Sequence, residues 1–115
     1  MKKESIVANK SFDFALTIID LYMQMKKDQE YVLSKQLVRS GTSIGANVEE
    51  ALAGFSERDF AAKMSISSKE ARETNYWLRL IDKSPHFSID VKKHLQDSEE
   101  LIRILTAIVK TSQTK

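Results

Sequence analysis

The chain has 115 residues, a length that fits one domain with a hydrophobic core of its own. Its 18 basic and 16 acidic side chains leave a net charge of +2, which by itself indicates neither nucleic acid nor a membrane surface. The absence of cysteine excludes disulfides and thiolate metal sites, and no apolar run approaches the ~20 residues that span a bilayer. We therefore expect a cytoplasmic protein without a signal peptide, built mainly of helices because prolines and glycines are few.

The first predicted helix, over about residues 5–27, carries two neighbouring apolar stripes. Both repeat at alternating spacings of three and four residues, and they consist of Phe14, Ile18, Leu21 and Met25, and of Phe12, Ala15, Ile19 and Tyr22. Such spacing places each stripe along one side of a helix. Together the two stripes predict an apolar face wide enough for the core of a bundle.

The second predicted helix covers about residues 31–53 and is followed by a short turn. Gly54 is a candidate for the left-handed residue that closes a helix, because glycine adopts this conformation without steric cost. Ser56 and Asp59 have the spacing of a capping box, with Asp in place of the usual Glu or Gln. The turn therefore predicts an abrupt reversal of the chain between the second and third helices.

The third and fourth predicted helices cover about residues 57–83 and 89–111. Pro85 stops the third helix, since the residue before a proline disfavours helical backbone. The fourth helix carries a heptad stripe made of Val91, Leu95, Ser98, Ile102, Leu105 and Val109. Four helices with short connections predict an all-α, antiparallel up-down-up-down four-helix bundle that forms a single domain over 1–115.

A row of mostly small polar side chains, here called the polar seam, runs beside the apolar stripe of the second helix. Its members are Gln36, Ser40, Ser43, Asn47 and Glu50. Ser and Asn are mediocre helix formers, but their small size permits close approach of another helix. We therefore favour a packed seam or a subunit interface over a solvated face. Glu70 and Glu73 of the third helix are candidate members of this contact, with Arg39 or Arg72 as the cation that neutralises them.

The clustered carboxylates raise a di-iron site as an alternative. Bundle sites of that kind take a glutamate from two helices and a Glu-x-x-His motif from each of the other two. Position 91, three residues before His94, is a valine, and no histidine follows Glu70 or Glu73 at that spacing. Because phosphate loops, cysteine nucleophiles and serine triads are also missing from the sequence, we predict no metal, no cofactor and no enzymatic activity. An enzyme that uses Glu50 with these two carboxylates is the weakest alternative.

One face of the third helix is basic, and we call it the basic stripe. It consists of Lys69, Arg72, Tyr76, Arg79 and Lys83. Arg72 and Lys83 have no acidic residue three or four positions away, so the stripe is not neutralised within its own helix. Such a face can bind a phosphate backbone without reading base sequence. The alternative is a solvated face whose side-chain stems cover Trp77 or Leu80.

The motifs of the second and third helices carry a family resemblance. They are Gln36-Leu37-x-Arg39-Ser40, Ser43-Ile44-x-x-Asn47-x-x-Glu50, Ser56-x-x-Asp59-Phe60 and Lys69-Glu70-Ala71-Arg72-Glu73-x-x-Tyr76-Trp77-Leu78. In these residues the chain resembles the bacterial four-helix bundle protein family, which includes the proteins encoded by intervening sequences of 23S ribosomal RNA genes. The resemblance implies an antiparallel bundle, ring-shaped homopentamers and no established enzymatic activity. A similar accessory protein of diversity-generating retroelements implies nucleic-acid binding through a basic surface.

From the basic stripe and the resemblance together, we expect a non-enzymatic homo-oligomer that associates with RNA or a ribonucleoprotein. The alternative is a protein-interaction scaffold without a nucleic-acid role, which the nearly balanced charge favours.

Overall fold

The computed structural model describes residues 3–113, which form four α-helices. The helices are α1 (Lys3–Lys27), α2 (Leu33–Leu52), α3 (Glu57–Lys83) and α4 (Lys92–Gln113). Each helix packs against the next, and α1 also packs against α4, so that the four close into an elongated bundle of 46 × 23 × 21 Å. The predicted all-α four-helix bundle is confirmed. None of the described helices combines the length and the apolar character that crossing a bilayer requires.

The fourth helix begins at Lys92, about three residues later than the sequence predicts. The Asp90 carboxylate accepts a hydrogen bond from the Lys92 backbone N–H at 3.0 Å, and the Leu95 N–H donates to the Val91 carbonyl at 2.9 Å. Asp90 therefore satisfies an amide that the first turn of α4 leaves free, as residues at helix N-termini commonly do.

Within residues 3–113, the non-glycine residue with a left-handed backbone is Gln29, and the predicted Gly54 does not adopt this conformation. Gln29, with φ of 66°, follows α1, and the Glu30 N–H donates to the Met25 carbonyl at 2.9 Å. This is the bonding pattern that closes a helix through a left-handed residue. Gly54 has no positive φ, so that prediction is wrong; a Cβ there would meet the end of the flexible Asp59 side chain and would lie 3.2 Å from the Ala51 carbonyl oxygen.

The core lies along the bundle axis and draws large apolar side chains from all four helices. Fully buried examples are Ile18 and Met25 of α1, Leu37 and Ile44 of α2, Met64, Leu78 and Ile81 of α3, and Leu101 and Leu105 of α4. The α1 stripe that contains Ile18 and Met25 is thus a core stripe. The second α1 stripe is not, because Phe12 is 61% exposed and Ile19 is 40% exposed.

Two glycines of α2 allow it to approach α1 closely. A Cβ on Gly41 would lie 2.7 Å from Cγ2 of Ile18, and one on Gly45 would lie 3.3 Å from Oγ of Ser11. A larger residue at position 41 would have to displace a fully buried isoleucine. The small residues of α2 therefore set the distance between the first two helices.

Candidate nucleic-acid interface

Helix α3 lies between α2 and α4, and buried hydroxyl and amide groups fix its position against both. On the α2 side, Ser67 Oγ donates to the Ile44 carbonyl at 2.8 Å, and Thr74 Oγ1 lies 2.8 Å from Ser40 Oγ. On the α4 side, Asn75 Nδ2 donates to Ser98 Oγ at 3.0 Å. Since buried polar groups are costly unless they are paired, these contacts favour one register of the three helices. The outward face of α3 is thereby held in a defined orientation.

The polar seam lies only partly in the contact between α2 and α3. Ser40 is fully buried there, whereas Ser43 and Asn47 are half-buried and bond along their own helix, with Asn47 Nδ2 donating to the Ser43 carbonyl at 2.8 Å. Gln36 and Glu50, at the two ends, are exposed. The seam is therefore fully packed at Ser40, while its role between subunits stays a prediction.

Arg39 holds the two carboxylates that α3 directs towards α2. Its guanidinium pairs with Glu70 at 3.4 Å and with Glu73, and Trp77 Nε1 donates to the same Glu73 carboxylate at 3.0 Å. Of the two arginines that the sequence offers as partners, Arg39 is the one in place. These two carboxylates are consequently engaged on the α2 side of α3, away from α4.

Glu50, the third carboxylate of the sequence-predicted cluster, pairs with Lys63 at 2.9 Å. It is therefore bound to a different cation from the Arg39 pair. Within residues 3–113, no three histidine, aspartate or glutamate side chains converge in a way that could hold a metal ion. The geometry of this region is that of ion pairs between neighbouring helices.

All five members of the basic stripe are exposed on the outer side of α3. Arg72 reaches across to α4, where its Nη2 donates to Thr106 Oγ1 at 3.1 Å. Arg79 Nε donates to Asn75 Oδ1 at 2.9 Å, and its guanidinium carbon lies 5.6 Å from the centre of the Tyr76 ring. These contacts orient two guanidinium groups without neutralising either, because each partner is uncharged.

Only one described carboxylate lies within ion-pair distance of a cation of the stripe, and that cation is Lys83, at its end. Its ammonium group is 4.0 Å from Asp82, but Lys92 of α4 lies closer to that carboxylate, at 2.7 Å. The hydrogen bond from Lys92 lowers the pKa of Asp82, and the charges of Lys92 and Lys83 act in the same direction. Asp82 is therefore mainly engaged by Lys92.

An exposed apolar row on α1 is a surface that the sequence analysis missed. The row, here called the outer stripe, consists of Phe12, Leu16, Ile19 and Met23, which are 61%, 50%, 40% and 57% exposed. Phe12 and Ile19 were predicted to be core residues because helical spacing shows that side chains share a face, but not whether a neighbouring helix covers it. Leu16 and Met23 complete the same spacing and are the signal that could have revealed a second face.

These features define a class of protein. It is an antiparallel four-helix bundle with a basic face on one helix and an uncovered apolar stripe on another. The family model for the 23S rRNA-intervening sequence protein matches residues 3–107, and the chain belongs to this family. It is also similar to a crystal structure, at 1.70 Å, of a protein of unknown function from the S23 ribosomal protein family of Bacteroides thetaiotaomicron VPI-5482. The two share 41% sequence identity and a TM-score of 0.86 over 95% of this chain and 99% of the other. None of the curated proteins compared with the chain matches it.

Proposed function

We propose that the protein is a non-enzymatic, homo-oligomeric bundle that binds RNA, free or in a ribonucleoprotein, through the basic stripe of α3. The observation that carries the proposal is the pairing pattern around this helix. Glu70 and Glu73 are held by Arg39 on the α2 side, and Asp82 is engaged by Lys92. The cations of the stripe consequently face solvent with little local neutralisation. Membership of the 23S rRNA-intervening sequence protein family fits such a ligand, and a cytoplasmic location is part of the proposal.

The chemistry of the stripe suits a single-stranded backbone. Arginine and lysine neutralise phosphates and release counterions, which gives affinity without base specificity. Tyr76 is 47% exposed and lies beside Arg79, so that an unpaired base could stack on the ring while the guanidinium contacts an adjacent phosphate. The interaction we propose is therefore dependent on salt and tolerant of sequence.

Self-association is the second element of the proposal, and the outer stripe of α1 supports it. From Phe12 to Met23 the stripe extends over twelve residues, or about 16 Å of helix. Burying one such side chain completely contributes about 1.5–3 kcal/mol, so that a contact between two copies has a large apolar component. A ring-shaped pentamer, as the resemblance implies, would also present five basic stripes to one RNA.

The RNA-binding test replaces Arg72, Arg79 and Lys83 together with glutamine. Binding of a labelled single-stranded RNA is then measured at several salt concentrations. Loss of three phosphate contacts should weaken binding and reduce the slope of log affinity against log salt by about 2, at ~0.7 per contact for single strands. Unchanged affinity and slope would remove this face from consideration.

The matched control has glutamine at Lys27, Lys35 and Arg58, three exposed cations away from the stripe. It carries the same change in net charge, and no described ion pair involves these side chains. We expect its salt slope to stay close to that of the wild type. If the control loses as much affinity as the stripe variant, the binding depends on overall charge and the stripe has no special role.

The self-association test replaces Phe12, Leu16 and Met23 with serine. All three are at least half-exposed, so we expect the helical circular dichroism to be retained while light scattering at micromolar concentration changes from oligomer to monomer. Phe55→Ser is the control, because Phe55 is fully exposed in the α2–α3 turn outside the outer stripe. A wild-type protein that is monomeric under these conditions contradicts this element.

A protein-interaction scaffold is the second candidate, and the exposed apolar surface favours it. The outer stripe, together with the exposed side chains of Leu52 and Phe55, could dock a different protein. Crosslinking in cells, followed by sequencing of bound RNA and identification of bound proteins, separates the candidates. Recovery of a protein partner without RNA would favour the scaffold over the RNA-binding function.

A further inference from the structure

A groove of about 250 Å³ lies between the outer faces of α3 and α4, at one end of the basic stripe. Apart from Val109, its lining is polar or cationic: Ser65, Ser68, Lys69 and Arg72 come from α3, and Thr106 and Lys110 come from α4. No carboxylate is among the lining residues. The groove thus combines hydrogen-bond donors and positive charge on two helices.

Two serine hydroxyls in the groove have no described hydrogen-bond partner. Hydroxyls elsewhere on these helices usually bond to protein groups, as Thr74 Oγ1 does to the Glu70 carbonyl at 2.8 Å. Ser65 and Ser68 are half-buried in the groove lining, yet neither takes part in such a bond within residues 3–113. Neither hydroxyl is among the fully buried polar atoms that lack a partner, so both reach solvent and are accessible to a ligand.

The three cations of the groove are arranged unfavourably in the absence of an anion. Lys69 and Arg72 are three residues apart on α3, a spacing at which like charges destabilise a helix. Lys110 adds a third positive charge from α4, and within residues 3–113 neither lysine has a carboxylate within ion-pair distance. Some other lysines of the bundle do have such a partner; Lys63, for example, pairs with Glu50 at 2.9 Å.

Arg72 is the best-positioned of the three cations. Its Nη2 donates to Thr106 Oγ1, which ties the guanidinium to the α4 side of the groove. A guanidinium has five N–H donors, so the others remain for a ligand, and its planar fork matches two oxygens of a phosphate group. Thr106 is therefore a positioning residue for Arg72.

We infer that the α3–α4 groove is a binding site for one phosphate group. Arg72, Lys69 and Lys110 supply the positive charge, and the hydroxyls of Ser65 and Ser68 donate hydrogen bonds to the phosphate oxygens. This inference rests on the proposed function where it takes the phosphate to be a phosphodiester of RNA. An inorganic phosphate or a phosphomonoester offers the same chemistry, and the experiment distinguishes these sources. In either case the site extends the basic stripe onto α4 through Lys110.

In the first arm of the test, 15N-labelled protein is titrated with inorganic phosphate at constant ionic strength, and an amide spectrum is recorded at each phosphate concentration. We expect saturable shifts in residues 65–72 and 106–110, and at least a tenfold weaker response in Ser68→Ala combined with Lys110→Gln. Lys110→Arg, as a single variant, should bind phosphate about as well as the wild type does, because it keeps the positive charge. Shifts that do not saturate, or that are equal in the double variant, overturn the groove as a phosphate site.

The second arm measures single-stranded RNA binding by the same proteins. Lys110→Gln should reduce the salt slope by about 0.7, the value for one lost phosphate contact, while Lys27→Gln should leave it unchanged. If inorganic phosphate binds but RNA affinity is unaffected by Lys110→Gln, the site stands and its phosphate does not come from RNA. If RNA binding depends on Arg79 and Lys83 but phosphate does not bind in the groove, the proposed function stands and this inference fails.

Discussion

The start of α2 depends on a single carboxylate, that of Glu30. Its Oε2 accepts hydrogen bonds from the N–H groups of Val32 and Leu33 at 3.1 and 3.0 Å, and its Oε1 accepts one from Ser34 at 2.8 Å. Burial raises the pKa of Glu30, but the bonds from Leu33, Ser34 and Val32 act against it and lower the pKa overall. We predict that Glu30→Gln destabilises the protein.

The expected size of the effect follows from what the substitution removes. Glutamine keeps one acceptor oxygen but loses the second one and the negative charge at a helix N-terminus. A lost N-terminal cap costs about 1 kcal/mol, and the helix-dipole interaction adds about 0.3–1 kcal/mol. For 115 residues the entropy of unfolding is about 240 cal/mol/K, so a loss of 1–2 kcal/mol corresponds to about 4–8 °C in Tm.

Urea denaturation followed by circular dichroism, at fixed protein concentration, measures the change. Asp28→Asn is the matched control, because it removes a charge from the same connection without a described side-chain hydrogen bond. The folded-state pKa of Glu30 lies below the unfolded value, so its contribution is fully present above the unfolded pKa and is lost as pH falls through the folded pKa. A difference between wild type and Glu30→Gln that is absent at pH 7, or that does not shrink in acid, refutes the reasoning.

Three further predictions concern other single positions. Ser67→Ala should lower the free energy of unfolding by about 1 kcal/mol in urea, because it removes the buried bond to the Ile44 carbonyl; an unchanged midpoint would contradict this. Burial lowers the pKa of His94, although a hydrogen bond with the Thr17 backbone opposes the shift. Its neutral form therefore stabilises the fold above the unfolded pKa of ~6.5, and this contribution is lost as pH falls through the folded value; His94→Leu should remove that pH dependence. Glu99→Gln, two turns or ~10 Å from Thr106 on α4, should tighten inorganic phosphate binding about twofold, and weaker binding would count against the groove.

The sequence predicts the helices and most of the core correctly because their signals are local. The spacing of Phe14 and Ile18 identifies a buried face, and both side chains are at most 3% exposed. The same spacing places Phe12 and Ile19 on one face, but these side chains lie outside the core. Periodicity records which residues share a side of a helix, whereas burial depends on the number of neighbouring helices. In this bundle α1 has two neighbours, α2 and α4, and they cover only one of its two apolar faces.

The turns show a similar limit. Glycine is the residue that most readily adopts a left-handed backbone, which is why Gly54 was expected to do so. In the structure, the hydrogen bonds that end α1 hold Gln29 in this conformation at a position with no glycine. Gly54, by contrast, has no positive φ, so its backbone conformation does not require glycine. A preference of the isolated residue type cannot foresee a constraint that arises from packing.

The candidate site could be predicted from the sequence only in the part that belongs to one helix. The basic stripe follows from the spacing of α3, but Lys110 joins the α3–α4 groove only because the bundle brings α4 alongside. For the same reason, the sequence alone does not decide the partners of Arg39 and Arg72. Arg39 takes the carboxylates of Glu70 and Glu73, and Arg72 turns to Thr106 of α4.

The nearly balanced charge of the chain is compatible with a phosphate-binding surface because the acids and bases are not evenly distributed. Arg39 and Lys63 pair with carboxylates between α2 and α3, and Lys10 pairs with Glu100 between α1 and α4 at 3.3 Å. In each such pair a carboxylate is neutralised by a cation away from the α3–α4 side of the bundle. The cations that remain near Arg72 have no described acid among the groove residues. The net charge of +2 is a sum over the whole chain. An RNA phosphate, however, would interact mainly with the charged side chains that lie within a Debye length of it, about 8 Å.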